Sequence, residues 1–192
     1  KVFFSGRALA QTGGHGDSRQ RTHVGVDPCA CSNGLNFTSV IADGVSEVRR
    51  AAREELRKGA KQIKVMVSGG VSSPYDPIDN KQYSKEELTA IVEEAKSWNT
   101  YVAAHSYTSQ STQHAIQCGV RTIEHGNLID RETALMMASK NVYLVPTLIT
   151  YDALDRNGSE LGLPQVSIEK LQRVKDHGQH AINHCREAGV KI

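Results

Sequence analysis

The stretch "QIKVMVSGG", residues 62–70, indicates the fold class of this chain and contains a lysine in an unexpected position. Its apolar residues and its Ser-Gly-Gly ending predict a short buried strand that is followed by a tight loop. Lys64 lies near the middle of this strand, and lysine is rarely fully buried unless it is paired or chemically altered. The stretch therefore predicts both a sheet and an unusual environment for one amine.

Helical and strand-like patterns alternate on either side of this stretch. Strands are predicted over residues 61–67, 100–106, 120–126 and 142–147. Helices are predicted over residues 42–60, 84–99, 109–119, 130–141 and 167–189, and Ser84 with Glu87 fits a capping box. Elements that alternate in this way indicate right-handed βαβ units and a parallel sheet, so the predicted fold class is α/β.

The number of predicted units indicates part of a barrel. A (β/α)8 barrel needs about 250 residues, whereas this chain has 192. A doubly wound open sheet stays possible on periodicity alone, although no G-x-G-x-x-G follows a strand. Residues 1–4 are predicted to be a strand end, residues 5–38 a long loop, residues 148–166 a further loop, and residues 190–192 the start of another strand. We interpret this chain as a fragment of a longer one.

Composition excludes several classes of partner. Hydrophobic residues make up 39% of the chain, charged residues make up 23%, and the net charge is +2. A charge this close to balance predicts neither a nucleic-acid nor a membrane partner. Cys29 and Cys31 are interpreted as two loop thiols rather than a metal or redox pair. A reducing compartment, the cytoplasm, is the expected location.

Two histidines occupy matching positions at the ends of consecutive predicted strands. His105 closes "YVAAHS" and His125 closes "RTIEHG". Chemistry in parallel α/β folds gathers at the carboxyl ends of strands, and neighbouring strands lie about 4.8 Å apart. The spacing thus allows both imidazoles to reach one metal ion with Lys64 nearby, although each residue alone is compatible with a purely structural role.

A chemical modification would explain the lysine. A desolvated amine has a lowered pKa and can present a neutral nitrogen. A neutral amine reacts with carbon dioxide to give an anionic carbamate, whose two oxygens can bridge two divalent cations. The buried charge on Lys64 would then be negative and paired with metal.

Five stretches together resemble the amidohydrolase superfamily. They are "SGRALAQTGGHGD", "QIKVMVSGGVSSPYDPIDNKQYS", "YVAAHSYT", "RTIEHGNLID" and "YLVPTLITYDAL". The resemblance is to the branch of Xaa-Pro dipeptidase-like (prolidase-type) and Xaa-Arg carboxypeptidase-like enzymes, near the imidazolonepropionases. It implies a partial (β/α)8 barrel over residues 1–192, comprising about strands three to seven and the start of strand eight.

The resemblance also implies a binuclear metal centre, usually zinc, and assigns residues to it. Lys64 matches the carboxylated lysine that bridges both metals, and His105 and His125 match the ligands of the second metal. Tyr107 matches a position that holds the scissile carbonyl, and His15 matches a residue near the substrate carboxylate. We expect Arg7, like His15, to bind that carboxylate.

The sequence departs from the family pattern in the other half of the centre. The family holds its first metal with a His-x-His pair on strand one and an Asp on strand eight, and neither has a match here. Strands one and two and a small β-sandwich are unmatched as well. We therefore expect the fragment alone to be inactive or nearly so.

The expected activity is metal-dependent hydrolysis of an amide bond in a dipeptide or an N-acyl amino acid. Two alternatives within the enzyme class are hydrolysis of a cyclic amide, as in imidazolonepropionases, and hydrolysis of a mycotoxin amide or a carbamate. A third alternative is a partial barrel that acts only as an interaction module. The exposed strand edges would then be covered by a partner or a second copy, and a homo-oligomer is expected.

Overall fold

The computed structural model describes residues 2–22 and 38–192. Cys29 and Cys31, which the sequence places in a loop, lie outside the described residues. Within the described ranges, no helix is long and apolar enough to cross a lipid bilayer.

The described residues form one parallel sheet of six strands in the spatial order β2-β1-β3-β4-β5-β6. The strands are β1 (Ala8–Ala10), β2 (Ser39–Ile41), β3 (Ile63–Met66), β4 (Val102–Thr108), β5 (Thr122–Leu128) and β6 (Tyr143–Val145). From β3 to β6 the strands are neighbours in both sequence and space, and each pair is parallel. The three predicted β-helix-β links between residues 64 and 146 are therefore confirmed.

The helices form a layer in which successive elements pack against one another. They are α1 (Gly44–Arg57), α2 (Lys85–Ser97), α3 (Ser109–Cys118), α4 (Arg131–Ser139), α5 (Leu148–Asn157) and α6 (Gln165–Ala188). Helix α1 packs on α2, α2 on α3, α3 on α4, and α4 on α6. A doubly wound sheet would distribute its helices over both faces, so this continuous layer favours the partial barrel.

Alternate residues of the strands build the main hydrophobic core beneath the helices. Ile63, Val65, Ala104 and Ile123 are fully buried, and all four belong to the same apolar cluster. Helix α2 begins where the sequence predicts, because Ser84 and Glu87 form both hydrogen bonds of a capping box. Local signals and tertiary burial thus agree over the central part of the chain.

Three short elements differ from the sequence prediction. Residues 2–4 are not a strand, and their side chains are exposed, whereas β1 occurs in the predicted loop and β2 occurs in residues 39–41, for which no element was predicted. Strand β2 pairs on the outer side of β1, so the connection through α1 passes over β1 to reach β3. Strands of three residues are too short to show alternation in the sequence. Strand β6 is equally short, but it was predicted because it lies in a longer apolar run, residues 142–146, that directly follows a predicted helix.

The C-terminal part of the chain contains two further differences. Helix α5 occupies residues predicted as loop, and residues 190–192 do not form a strand. The backbone N–H of Leu144 in β6 nevertheless donates to the Lys191 carbonyl at 2.9 Å. The last residues therefore lie beside β6 in the place where a further strand was predicted.

Gly126 in β5 offers a test of packing within the main hydrophobic core, to which Ile129 and Leu144 belong. Its φ is +64°, and an added Cβ would lie 2.6 Å from Leu144 Cδ1 and 2.7 Å from Ile129 Cδ1. We expect Gly126→Ala to lower the free energy of unfolding by about 2–4 kcal/mol, measured by urea denaturation.

Gly162→Ala is the matched control for this substitution. Gly162 also has a positive φ, +76°, but no atom lies within 4 Å of its added Cβ. The control should lower the free energy of unfolding by only about 1 kcal/mol, from backbone strain alone. Equal losses in the two variants would refute the packing argument.

Candidate metal centre

The register of three strands places the candidate ligands on the face of the sheet opposite the helices. Met66 pairs with His105, and His105 pairs with Glu124. Because side chains alternate along a strand, Lys64 shares this face with Met66, which lies two residues later in β3. The neighbours of Lys64 in the strand, Ile63 and Val65, point into the core. Hydrogen bonding between strands thus brings Lys64 and His105 together.

His125 reaches the site through an irregular backbone. Simple alternation would place His125 on the core side with Ile123. Instead, the φ of His125 is +78°, a conformation that is uncommon outside glycine, and the pairing of β4 with β5 shifts register just beyond it. The ring centroid of His125 lies 4.8 Å from that of His105, and Nδ1 of His125 lies 2.7 Å from the Thr147 hydroxyl. Backbone strain therefore orients this ligand.

Four rings converge at the carboxyl ends of β1, β4 and β5. His15 stacks on His105 with centroids 4.4 Å apart and an interplanar angle of 27°. The Tyr107 ring lies 4.8 Å from His105 and 5.5 Å from His125, measured between centroids. The sequence prediction had grouped these four residues with Lys64, and the structure brings them together.

The Ser-Gly-Gly that follows β3 makes this convergence possible. A Cβ on Gly70 would lie 2.0 Å from Cε1 of His15, so only glycine leaves room for that imidazole. The carbonyl of Gly69 lies 3.0 Å from Nε2 of His105 and occupies that ring nitrogen. The two glycines therefore position two of the four rings.

Burial keeps the two candidate histidine ligands neutral. Desolvation, followed by the nearby charges of Lys64 and His15, lowers the pKa of His125 to about 3. Desolvation is also the main cause that holds the pKa of His105 well below its ordinary value, and the charges of His15, His125 and Lys64 add to it. Neutral imidazole is the form that binds a metal ion.

Lys64 has the environment that the sequence predicts. Burial lowers the pKa of its amine to about 8, and the opposing charge of Glu124 limits the decrease. A substantial fraction of neutral amine, the form that reacts with carbon dioxide, therefore exists near physiological pH.

These donors fit one side of a metal centre. Lys64, as a carbamate, would add oxygen ligands to the two neutral imidazoles of His105 and His125, which is a combination that zinc accepts. Histidine, cysteine, aspartate and glutamate alone do not complete a site, because no three of them within the described ranges are arranged to hold a metal ion. A donor set built on His105 and His125 would therefore need Lys64 as a further member.

Tyr107 and Tyr151 form a pair beside these ligands. Tyr107 is 3% exposed, and its hydroxyl accepts a hydrogen bond from the Tyr151 hydroxyl at 3.2 Å. Burial is the main cause that raises the pKa of Tyr107 far above its ordinary value, and burial raises the pKa of Tyr151 to about 12. Both phenols therefore stay protonated at neutral pH. Tyr151 was missed because it lies in α5, which the sequence prediction treated as loop.

The structure contradicts the prediction for Arg7. This residue precedes β1, so it lies at the amino end of the strand, whereas the ring cluster lies at the carboxyl end. The guanidinium of Arg7 donates twice to Glu55 Oε1 at 3.0 Å, and its backbone N–H donates to the same carboxylate. Arg7 therefore stabilises the contact between β1 and α1 and does not reach the candidate site.

This ring cluster on a parallel sheet can be compared with known proteins. The sequence model of a family described as "Amidohydrolase family" matches residues 11–192. The chain belongs to the amidohydrolase family. This membership and the observed parallel sheet confirm the α/β fold expected from the sequence. The sheet corresponds to part of the barrel of an amidohydrolase. The family generally binds divalent metals.

Individual relatives extend the comparison. An Aspergillus niger ochratoxinase is 37% identical over 207 aligned residues, covering 100% of this chain and 41% of the relative. The crystal structure of a prolidase complexed with N-methylphosphonate-L-proline is 50% identical, with a TM-score of 0.93 over 99% of this chain and 46% of that one. A Xaa-Pro dipeptidase with methionine bound in its active site is 30% identical, with a TM-score of 0.83 over 100% of this chain and 46% of that one. This chain therefore spans less than half the length of these relatives.

The pKa of Lys64 predicts how stability depends on pH in metal-free buffer without carbon dioxide. The folded-state pKa, about 8, lies below the ordinary value of 10.5, so the unfolded chain binds more protons between these values. The contribution of Lys64 to the free energy of unfolding should therefore rise with pH between these two values. At lower pH, burial of the ammonium lowers the free energy of unfolding by up to about 3 kcal/mol.

We therefore expect Lys64→Met to raise the free energy of unfolding at neutral pH, and we expect the gain to shrink as the pH passes 8 and approaches 10.5. Urea denaturation at a series of pH values measures this change. Lys61→Met, at an exposed position before β3, is the control. A gain for Lys64→Met that does not depend on pH would contradict the proposed environment of the amine.

Proposed function

We propose that the protein containing this chain hydrolyses the amide bond of a dipeptide or an N-acyl amino acid. The convergence of Lys64, His105, His125 and Tyr107 at the carboxyl ends of neighbouring strands is the observation that carries the proposal. Similarity to a prolidase and to a Xaa-Pro dipeptidase supports this choice of substrate class. The substrate is a small molecule, and neither nucleic acid nor membrane takes part.

In the proposed metal centre, Lys64 would help as a carbamate to hold two divalent ions, with zinc as the expected metal. His105 and His125 would hold one of the ions through neutral imidazole nitrogens, as their lowered pKa values favour. Bound divalent ions would lower the pKa of a water molecule and polarise the substrate carbonyl.

Tyr107 is the proposed donor to the oxygen of the scissile carbonyl. Its phenol stays protonated because burial raises its pKa. The Tyr151 hydroxyl donates to Tyr107, which leaves the Tyr107 proton available for another acceptor. A buried, oriented donor of this kind stabilises the negative charge that develops on the carbonyl oxygen.

His15 is the proposed contact for the substrate carboxylate. Its ring lies against His105 and lines a cavity of about 380 Å³, which Met66, Tyr75 and Ser72 also line. A substrate whose scissile bond lay near His105 would therefore have its far end within reach of this cavity.

Metal content tests the proposed centre directly. We expect the purified chain to retain some zinc after dialysis and its intact mass to include one added carbon dioxide on Lys64. Elemental analysis should show that Lys64→Ala and His125→Ala abolish the bound zinc. His180→Ala, at an exposed position on α6, is the control and should keep it. A chain without zinc and without the added mass would exclude this centre and favour a non-catalytic interaction module.

Substitution of Tyr107 tests the catalytic assignment in an active polypeptide that contains this chain. We expect Tyr107→Phe to lower kcat for a Xaa-Pro dipeptide by about 10²–10³-fold, with a smaller effect on KM, because the hydroxyl acts on the transition state. Tyr101→Phe removes a hydroxyl from a partly exposed tyrosine and should change neither constant. A Tyr107 variant with unchanged kcat would remove this residue from the mechanism.

The similarity to ochratoxinase favours a second candidate substrate. That relative matches the whole chain, so a mycotoxin amide is the alternative to a dipeptide. Comparison of kcat/KM for Xaa-Pro dipeptides, N-acyl amino acids and ochratoxin would separate the two candidates. We expect the 192-residue chain alone to turn over little of any substrate, and we expect the active protein to be a homo-oligomer.

A further inference from the structure

The loop that follows β3, here residues 68–82, is held from two directions. Within the loop, the backbone N–H of Gly70 donates to Oδ2 of Asp76 at 2.7 Å. From α6, the ammonium of Lys170 donates to the carbonyls of Gly70, Ser73 and Asp76 at 3.2, 2.7 and 2.6 Å. Because one ammonium binds three carbonyls, the position of this loop is fixed relative to α6.

Asp76 is buried at the centre of this arrangement without full hydrogen bonding. It is 2% exposed, and its Oδ1 has no partner among the described residues. The Nδ1 atom of His15 is also buried and lacks a partner within the same described ranges. An unsatisfied buried polar group typically costs about 1–3 kcal/mol, so two such groups side by side call for an explanation.

The unsatisfied nitrogen of His15 faces the other oxygen of Asp76, Oδ2, which already accepts from the Gly70 N–H. Nδ1 of His15 lies 3.6 Å from Oδ2 of Asp76, slightly beyond hydrogen-bonding distance. A movement of less than one ångström would form an Nδ1–H···O bond and satisfy the imidazole nitrogen. The pair is thus almost formed in the structure.

Part of the His15 side chain is accessible. The side chain is 14% exposed and lines the cavity of about 380 Å³. Nδ1 is buried, so it does not belong to the accessible part of the ring. Nε2 is therefore the ring nitrogen that can meet a molecule in the cavity.

We propose that Asp76 is a positioning residue that accepts the Nδ1 hydrogen of His15 and directs Nε2 toward the substrate, while Lys170 holds Asp76 in place. In the proposed tautomer Nδ1 carries a hydrogen when the imidazole is neutral, and Nδ1 also carries one when the ring is doubly protonated. This arrangement therefore does not depend on the charge of His15. The role of Nε2 in substrate binding rests on the proposed function, whereas the Asp76–His15 hydrogen bond does not.

The tautomer of His15 tests the proposal in the 192-residue chain without metal or substrate. Long-range ¹H–¹⁵N NMR at one pH in the neutral-imidazole range reports which ring nitrogen carries the hydrogen, and His15→Gln assigns the resonances. We expect the hydrogen on Nδ1 in the unaltered chain. Asp76→Ala should move at least part of the population to the Nε2–H tautomer, whereas Asp76→Asn should retain Nδ1–H because its amide oxygen still accepts.

Asp79→Ala is the matched control for the carboxylate. Asp79 lies in the same loop and also pairs with α6, through Arg173 at 2.6 and 2.7 Å, but it is exposed. The control should leave the His15 resonances unchanged. Lys170→Met should weaken the Nδ1–H preference, whereas Lys175→Met, which removes an ion pair with Asp155 elsewhere on α6, should not.

Two results would overturn the proposal. One is an unaltered chain whose His15 carries its hydrogen on Nε2, and this result needs no variant to fold. The other is a folded Asp76→Ala chain whose His15 resonances do not move. In an active polypeptide, Asp76→Ala should also raise KM by about 10-fold with a smaller change in kcat. Failure to bind zinc would refute the proposed metal centre and leave the NMR result standing.

Discussion

Pairing between the parallel strands β3, β4 and β5 is the constraint on which the candidate site depends. Met66, His105 and Glu124 lie side by side in consecutive strands, and a shift of one residue in either pair would turn the ligands toward the helices. The same register places Ile63, Val65 and Ile123 in the core. The hydrophobic burial that fixes the fold therefore also brings Lys64 and His105 together, whereas His125 depends on its irregular backbone.

The site departs from the regularity of the sheet where its chemistry requires it. His125 adopts a positive φ, His15 packs where a side chain on Gly70 would stand, and Asp76 remains incompletely hydrogen-bonded. Such strained or unsatisfied groups persist only where the surrounding structure holds them in place. Here the well-packed βαβ units and the Lys170 contacts with three carbonyls provide that support.

Desolvation is the common cause of the shifted pKa values in the candidate site. Burial is the main cause that lowers the pKa of Lys64, His105 and His125, and it is the main cause that raises the pKa of Tyr107. All four groups are consequently driven toward their neutral forms. Neutral nitrogens suit metal binding and carbamate formation, and a neutral phenol suits hydrogen-bond donation. A single physical cause thus gives each group the protonation state that the proposed hydrolysis requires.

Local sequence signals are sufficient to predict the α/β class, the elements from β3 to β6, and the grouping of Lys64 with His105 and His125. Periodicity and strand ends are local properties, and parallel pairing converts matching positions in consecutive strands into spatial neighbours. The remaining features depend on long-range contacts. Strands β1 and β2 are short and lie outside any readable apolar run, and Arg7 is distinguished from a substrate-binding residue only by its position before β1. Tyr151 and Asp76 reach the site from a helix and a loop whose paths depend on long-range contacts with Tyr107, Lys170 and His15.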